Sequence, residues 1–180
     1  LREKGVFELL EAVRILAKKK IPFCCVIAGE IYPGNPSSLT QSEVDQHRNS
    51  DSVRFLGHVD DVRELLASCH IVVLPSYSEG TPRILIEAAA MELPIVATDI
   101  AGIRGLVQDT ENGFLVPVKC SESLADALEK LILDADLRQQ FGRAGRQIVL
   151  QEFDEKIVLG KTLEVYRELG FGQVESGEGR

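Results

Sequence analysis

The stretch IVVLPSYSEGTPRILIEAAAMELPIVAT, residues 71–98, is the most informative part of this chain about its fold. It opens on the apolar run Ile71–Leu74, which Pro75 closes. Residues 82–91 then carry apolar side chains at helical spacing, and Ile95–Thr98 is a second short apolar run. Short apolar runs separated by a helix are typical of parallel strands that are buried on both faces. The stretch therefore predicts one strand–helix–strand unit of a parallel sheet.

The same alternation of strands and helices continues on both sides of this unit. Further apolar runs predict strands at Phe23–Ala28, Val53–Gly57 and Gly113–Val116. Helical spacing predicts helices at residues 5–20, 60–68, 103–108, 121–133, 135–150 and 154–169, and a polar helix ending near residue 48. We therefore expect an α/β fold, a Rossmann-like doubly wound parallel sheet, in one domain over residues 1–170. Residues 171–180 form a glycine-containing tail that we expect to be disordered.

Composition limits the classes of partner. The net charge of −8, with Lys18–Lys20 as the single basic run, argues against a nucleic-acid surface. No apolar run approaches the ~20 residues that a membrane span needs.

Because Cys24, Cys25 and Cys69 fall in or beside apolar runs, we expect them to be reduced core residues of a cytoplasmic protein. The chain opens on Leu1 within a helix-like pattern, so we also expect it to be a fragment of a longer protein.

The loop after Leu74 carries the features of an anion site. Parallel sheets bind ligands at the carboxyl ends of their strands, and this loop lies at such an end, as does Gly29 after the strand that ends at Ala28. We expect Thr81 to be the N-cap of the following helix and Pro82 its first residue. The backbone N–H groups of the first helical turn would then be free to bind a phosphate.

Two carboxylates flank this helix start. Glu79 lies in the loop and Glu87 in the second turn of the helix, where its neighbours are apolar. Both would repel a bare phosphate, but a carboxylate can accept hydrogen bonds from the two hydroxyls of a vicinal diol. A pyrophosphate at the helix start with a sugar on each side would therefore fit. The alternative is that Glu79 is a solvated loop acid and Glu87 a helix-surface acid, and chemistry alone leaves both interpretations open.

The order of these motifs resembles glycosyltransferase family 4. Glu79 and Glu87 match the Glu-x7-Glu element of retaining glycosyltransferases with the GT-B fold. Further matches are Lys4-Gly5 before a helix, the strand Val53–Gly57 and the segment Asn112–Pro117. The resemblance implies the C-terminal, donor-binding half of such an enzyme. The first strand of that half and the N-terminal acceptor domain would then lie outside this chain.

The resemblance also implies roles for individual residues. Glu87 would bind the ribose hydroxyls, and Glu79 would contact the donor sugar. Lys4 matches the lysine that neutralises the diphosphate leaving group. The distal phosphate would lie against five consecutive residues: Gly80, Thr81, Pro82, Arg83 and Ile84. The base would meet the backbone around His58 and Val59, with Gly29 on the same side. Arg83 could instead face solvent. No metal and no cofactor besides the nucleotide-sugar donor is expected.

Departures from the family pattern lead to further expectations. Glu92 stands where the family usually has glycine, so we expect it to adopt a left-handed conformation. Gly105 stands where the family has an acid, and Arg104 precedes it. A phosphate-binding arginine of the family would lie upstream of Leu1, since Arg2 does not match its position. The helix over residues 154–169 carries an apolar face, which we expect to be partly exposed here.

The function implied by this resemblance is transfer of a hexosyl or N-acetylhexosaminyl group from a UDP-linked donor to a glycan or lipid-linked acceptor, as in polysaccharide biosynthesis. The chain alone should bind the donor weakly and transfer almost nothing. The full-length protein could associate peripherally with a membrane. The alternative is a non-catalytic nucleotide-binding or scaffolding module of the same fold, for which Gly105 is the only support. A sugar-nucleotide epimerase fits the motif order less well.

Overall fold

Five strands and eight α-helices make up the described part of the chain. The computed structural model describes residues 1–48 and 52–169, so the predicted tail over 171–180 lies outside the described residues. A one-turn 3-10 helix, Arg2–Lys4, comes first. The strands are β1 (Cys25–Ala28), β2 (Val53–Gly57), β3 (Val72–Leu74), β4 (Ile95–Thr98) and β5 (Gly113–Val116). The helices are α1 (Val6–Lys18), α2 (Gln41–Arg48), α3 (Val62–Ala67), α4 (Arg83–Ala90), α5 (Ala101–Arg104), α6 (Ser121–Leu133), α7 (Ala135–Glu152) and α8 (Glu155–Glu168).

The five described strands pair only in parallel. β1 pairs with β2, and β3, β4 and β5 form a second sheet in that order. The described strands thus form two sheets rather than one continuous sheet. The first 3-10 turn lies between the loops that follow β1 and β3. The amide of Arg2 donates to the carbonyl of Ser37 in the loop after β1, and the amide of Tyr77 in the loop after β3 donates to the carbonyl of Glu3. This turn therefore contacts the loops at the carboxyl ends of both sheets.

Helices cover the sheets in two layers. On one side α1 and α6 pack against side chains of both sheets, including Phe55 of β2 and Val96 of β4. On the other side α4, α5 and α7 pack against β3 and β4. β4 is buried at each of its four positions, as expected for a central parallel strand. The predicted doubly wound parallel α/β fold is therefore confirmed.

Several predicted details differ in the structure. The first strand begins at Cys25 rather than Phe23, and Cys24 is exposed, so its assignment to the core was wrong. Cys25 is half-buried, and desolvation raises its pKa to about 12, as expected of an unreactive thiol. The short helix after β4 covers Ala101–Arg104 rather than residues 103–108. The helix thus begins two residues after β4 ends, and its Ile103 is buried in the core.

Two structural expectations drawn from departures in sequence are confirmed. Glu92 has a φ of 60°, the left-handed conformation expected just after α4. Helix α8 has no buried residue, and its apolar side chains are about half exposed: Val158, Leu159, Leu163, Val165 and Tyr166.

Among the helices within residues 1–48 and 52–169, none has the length and apolarity needed to cross a bilayer.

Candidate functional site

The β3–α4 loop, residues 75–82, lies at the carboxyl edge of the three-stranded sheet. It leaves β3 at Leu74 and is fixed to the neighbouring strand by the hydroxyl of Thr98, which donates to the carbonyl of Ser76. Both residues are buried. The start of the loop is therefore rigidly attached to the sheet, and its remaining residues reach the edge where parallel sheets bind ligands.

Helix α4 starts one residue later than the sequence predicted. Pro82, with extended backbone angles, is the N-cap, and no side chain caps the helix, so the prediction of Thr81 as N-cap was wrong. The amide of Leu85 donates to the carbonyl of Pro82 at 3.0 Å and is not free. Within the described residues, no backbone carbonyl accepts from the amides of Arg83 and Ile84. The helix start thus offers two amides and its positive dipole end to an anion.

The two residues expected to take part in catalysis meet in the structure. Lys4 Nζ lies 2.7 Å from Glu79 Oε1. The side chain of Glu79 is 13% exposed, whereas that of Lys4 is 44% exposed. The carboxylate is therefore held within the loop, and the ammonium group lies at the surface above it, accessible to a ligand.

Helix α5 supports the opposite side of the same loop. Gly102 lies so close to the loop that a Cβ atom there would collide with the carbonyl oxygens of Glu79 and Gly80. Only glycine permits this approach. The backbone at Glu79 and Gly80 is thus held between α5 and Lys4, and the amides beyond Gly80 have a defined position.

Glu87 lines a cleft. This cleft has a volume of about 500 Å³ and is open to solvent, and its lining residues come from α4 and from the start of α3: Asp60, Asp61, Val62, Arg63, Arg83 and Glu87. Glu87 is half-buried on α4, one helical turn beyond Arg83. Because Arg83 at the helix start lines the same cleft as Glu87, a ligand with a phosphate at the helix start can extend a sugar or base into the cleft.

The α3 start supplies a residue that sequence reasoning missed. Asp61 is the N-cap of α3 and accepts from the amide of Arg63. The side chain of Arg63 also donates to Asp61, which raises the pKa of the guanidinium, and Glu87 adds to the shift through space. The signal for Arg63 in the sequence was its place in the first turn of a helix that follows a parallel strand.

Gly29, His58 and Val59 lie at the carboxyl edge of the two-stranded sheet. The amide of Gly29 donates to the carbonyl of Gly57 at 2.8 Å, so that amide is already used within the protein. His58 is exposed, and its Nε2 lies 3.3 Å from Asp60 Oδ1, at the rim of the cleft. Val59 is half-buried in the same loop. The structure therefore places His58 beside the cleft, while the roles of all three residues stay predictions.

Tyr77 is a second residue that sequence reasoning did not select. Its hydroxyl donates to Glu8 Oε1 on α1 at 2.6 Å, and burial together with this acid raises the pKa of Tyr77 to about 12. Lys119 Nζ lies 5.0 Å from the centre of its ring. Tyr77 thus ties the β3–α4 loop to α1 and to the segment after β5.

Arg104 does not extend over the helix start. Its Nε donates to Asp99 Oδ1 at 2.6 Å, which lowers the pKa of Asp99. The position of Gly105 is open, since no atom lies within 4 Å of where a Cβ would be. An ion pair at the end of β4 therefore stands near the place where the family pattern has an acid.

No cluster of three or more His, Cys, Asp or Glu side chains that could hold a metal ion occurs in the described part of the chain. The expectation that the site needs no metal stays a prediction. The candidate site consists of two amides at the start of α4, the Lys4–Glu79 pair beside them and the cleft that contains Glu87.

Comparison with known proteins agrees with this architecture. The family model described as glycosyl transferases group 1 matches residues 1–148. This chain belongs to that family. Its fold is that of the C-terminal domain of GT-B glycosyltransferases.

Individual relatives cover most of the chain. The capsular polysaccharide biosynthesis glycosyltransferase CapM from Staphylococcus aureus is 28% identical over 165 residues, which are 92% of this chain and 43% of CapM. An N,N'-diacetylbacillosaminyl-diphospho-undecaprenol alpha-1,3-N-acetylgalactosaminyltransferase from Campylobacter jejuni is 33% identical over 163 residues, 91% of this chain and 41% of that enzyme. The crystal structure of Anabaena Alr3699/HepE in complex with UDP matches with a TM-score of 0.82 at 24% identity, covering 93% of this chain and 46% of HepE. The chain thus spans less than half the length of these relatives.

Proposed function

We propose that this chain is the donor-binding half of a retaining glycosyltransferase of family 4 type. It would bind a UDP-linked hexose or N-acetylhexosamine, and the whole protein would transfer the sugar to a glycan or a lipid-linked acceptor. The observation that carries the proposal is the surroundings of the α4 start: the Lys4–Glu79 pair lies at the loop that leads into it, and its first residue, Arg83, lines the same cleft as Glu87. That arrangement matches a sugar nucleotide, with its diphosphate at the helix start and a sugar on each side.

Each part of the donor then has a partner. The diphosphate accepts hydrogen bonds from the amides of Arg83 and Ile84 and from Lys4, whose charge stabilises the leaving group as the glycosidic bond breaks. Glu87 accepts from the ribose hydroxyls, and the base extends into the cleft toward Arg63 and His58. Glu79 accepts from the hydroxyls of the transferred sugar. The acceptor attacks from the same face as the leaving group, which retains the anomeric configuration without a protein nucleophile.

The relatives support the donor and acceptor classes. The HepE crystal structure is a complex with UDP, which agrees with a uridine diphosphate donor. CapM is named for capsular polysaccharide biosynthesis, and the Campylobacter enzyme is named for a diphospho-undecaprenol acceptor. These names favour polysaccharide or glycoconjugate biosynthesis, with a glycan or lipid-linked acceptor.

Glu87 offers a test of the donor orientation. Calorimetry would compare the binding of UDP and 2′-deoxy-UDP to the wild-type chain and to the Glu87→Gln variant. Because a carboxylate gripping both ribose hydroxyls loses one partner with the deoxy compound, we expect wild type to prefer UDP by about tenfold. Glu87→Gln should reduce that preference.

The matched control is Glu164→Gln, which removes the charge of an exposed glutamate on α8 and should keep the wild-type preference. Equal binding of the two nucleotides by wild type, or an unchanged preference in Glu87→Gln, would remove Glu87 from the ribose site.

One observation favours a second candidate, a nucleotide-binding module without catalysis. The family acid is absent at Gly105, and the neighbouring Arg104 is paired with Asp99. The two candidates differ in the whole protein, where a transferase releases UDP from a UDP-sugar when acceptor is present. UDP binding without acceptor-dependent release, across lipid-linked and glycan acceptors, would favour the non-catalytic module.

A further inference from the structure

The position of Lys4 depends on a short backbone segment held from two sides. On one side, the amide of Tyr77 donates to the carbonyl of Glu3 at 2.8 Å. Gly5, with a φ of 71°, lies so close to Pro75 that a side chain there would collide with the carbonyl of Pro75. These contacts fix residues 3–5 against the loop after β3.

The other side of the segment is held by an ion pair. Arg2 Nη2 lies 2.8 Å from Glu43 Oε1 and 3.0 Å from Glu43 Oε2. The amide of Arg2 also donates to the carbonyl of Ser37 at 2.7 Å. Both partners belong to the region between β1 and β2, so the segment bridges the two sheets.

Glu43 is itself held rigidly at the start of α2. Its Oε2 accepts from the amide of Thr40 at 2.8 Å and from the hydroxyl of Thr40 at 2.9 Å, and its own amide donates back to that hydroxyl at 3.3 Å. This reciprocal arrangement is a capping box. The bonds from Thr40, followed by the one from Arg2, lower the pKa of Glu43 to about 2, so the carboxylate is charged at neutral pH.

We propose that Glu43 is a positioning residue for Lys4: through Arg2 it holds the 3-10 turn so that the ammonium group of Lys4 stands beside Glu79 and the start of α4. The inference rests on the proposed function, because it assigns Lys4 to the donor diphosphate. Lys4 lies two residues after Arg2 on this single turn, so movement of Arg2 displaces the backbone that carries it. Glu43 lies between β1 and β2, so this clamp, the Arg2–Glu43 ion pair, connects the turn to the sheet that does not carry the β3–α4 loop.

Glu43→Gln tests the proposal with little damage to α2. The side-chain amide oxygen still accepts from Thr40, but the negative charge that binds Arg2 is lost. Binding of UDP would be measured by calorimetry for wild type, Glu43→Gln, Lys4→Met and the double variant. An ion pair of this exposure is worth up to about a fivefold change in binding, so we expect Glu43→Gln to weaken UDP binding about two- to fivefold.

The double variant separates positioning from general destabilisation. If Glu43 acts through Lys4, the Glu43→Gln change has no further effect once Lys4 is methionine. The matched control is Asp136→Asn, which also removes an exposed acid from the first turn of a helix. Helix α6 starts after the carboxyl end of β5, and Asp136 follows the far end of α6. Asp136 therefore lies away from the edge that carries the candidate site, and Asp136→Asn should leave UDP binding unchanged.

A second readout needs no nucleotide. Nuclear Overhauser contacts between the side chains of Lys4 and Glu79 should be present in the free wild-type chain and weaker in Glu43→Gln. The inference is overturned if these contacts are unchanged in Glu43→Gln, or if the loss of UDP affinity is the same in the Lys4→Met background. Absence of UDP binding by wild type, with the contacts weakened as expected, would instead refute the proposed function and the donor role of Lys4.

Discussion

Lys4 Nζ and Glu79 Oε1 lie 2.7 Å apart, although 75 positions separate the two residues in sequence. The cation expected at the leaving diphosphate is thus paired with the acid expected at the donor sugar. A diphosphate that binds Lys4 competes with Glu79 for the charge of this ammonium group. The diphosphate of the donor therefore competes with Glu79 for Lys4, and the sugar of the donor competes with Lys4 for Glu79.

Replacing Glu79 should consequently strengthen the binding of UDP alone. UDP lacks the transferred sugar, so toward this ligand Glu79 contributes only competition for Lys4 and like-charge repulsion. We expect Glu79→Gln to bind UDP about two- to fivefold more tightly than wild type in calorimetric titrations. Lys4→Met should bind UDP at least about tenfold more weakly, because it removes a charged hydrogen-bond donor. Weaker or unchanged binding of UDP by Glu79→Gln would contradict the competition.

The contact of α5 with the β3–α4 loop should be essential for stability and for UDP binding. Gly102→Ala places a methyl group against the carbonyls of Glu79 and Gly80, and overpacking of this kind costs about 1–3 kcal/mol. We expect a lower melting temperature and loss of UDP binding. Gly105→Ala is the matched control, because its Cβ meets open space and its φ of −74° suits any residue. If Gly102→Ala retained wild-type affinity for UDP, the loop position would not depend on α5.

Acid should weaken the clamp between Arg2 and Glu43. The pKa of Glu43 is about 2 in the folded chain and 4.5 without its partners, so its contribution to stability is complete above pH 4.5 and is lost as pH falls toward 2. Thermal melts of wild type and Glu43→Gln between pH 6 and 2 test this. Other acids add their own pH dependence to both curves, so the difference between the two is the informative quantity. We expect that difference to shrink below pH 4.5, and a constant difference would contradict the role of the charge.

A backbone position remote from the candidate site should permit stabilisation. Thr110 has a φ of 65°, in the loop before β5 and therefore at the amino edge of the sheet. A β-branched residue is disfavoured there by about 1–2 kcal/mol, whereas glycine is not. After allowing for the flexibility of glycine in the unfolded chain, Thr110→Gly should raise the free energy of unfolding by about 0.5–1 kcal/mol. Thr110→Ala keeps the left-handed strain and should gain less. Equal effects of the two substitutions in chemical denaturation would show that strain is not the cause.

Local patterns predicted most of the fold, because they depend on neighbours in sequence. The apolar runs at Ile71–Leu74 and Ile95–Thr98 became strands of one parallel sheet, and Glu92 was left-handed as its place after a helix indicated. The helix start was misjudged by one residue. Thr81 is a good capping residue by type, but Pro82 takes the extended cap position and its carbonyl accepts from Leu85. Residue preferences alone do not decide between adjacent candidates.

Some contacts between distant segments were beyond prediction from the sequence. Only the family resemblance placed Lys4 and Glu79 at one site, and nothing in residues 1–8 indicates that Glu8 binds Tyr77. The position of the first 3-10 turn, which contacts the loops after β1 and β3, likewise depends on tertiary contacts. Arg63 entered the candidate site because the helix that carries it begins beside α4. These features arise from packing, which overrides local preference.

The most direct test of the donor site is a titration of the 15N-labelled chain with UDP, followed through its amide resonances. We expect saturable shifts at residues 80–87, with Arg83 and Ile84 among the most affected, because their free amides would donate to the distal phosphate. UMP, which lacks that phosphate, should shift these two amides much less. If millimolar UDP left residues 80–87 unperturbed, or if UMP and UDP shifted Arg83 and Ile84 equally, the chain would not bind a nucleoside diphosphate at the start of α4.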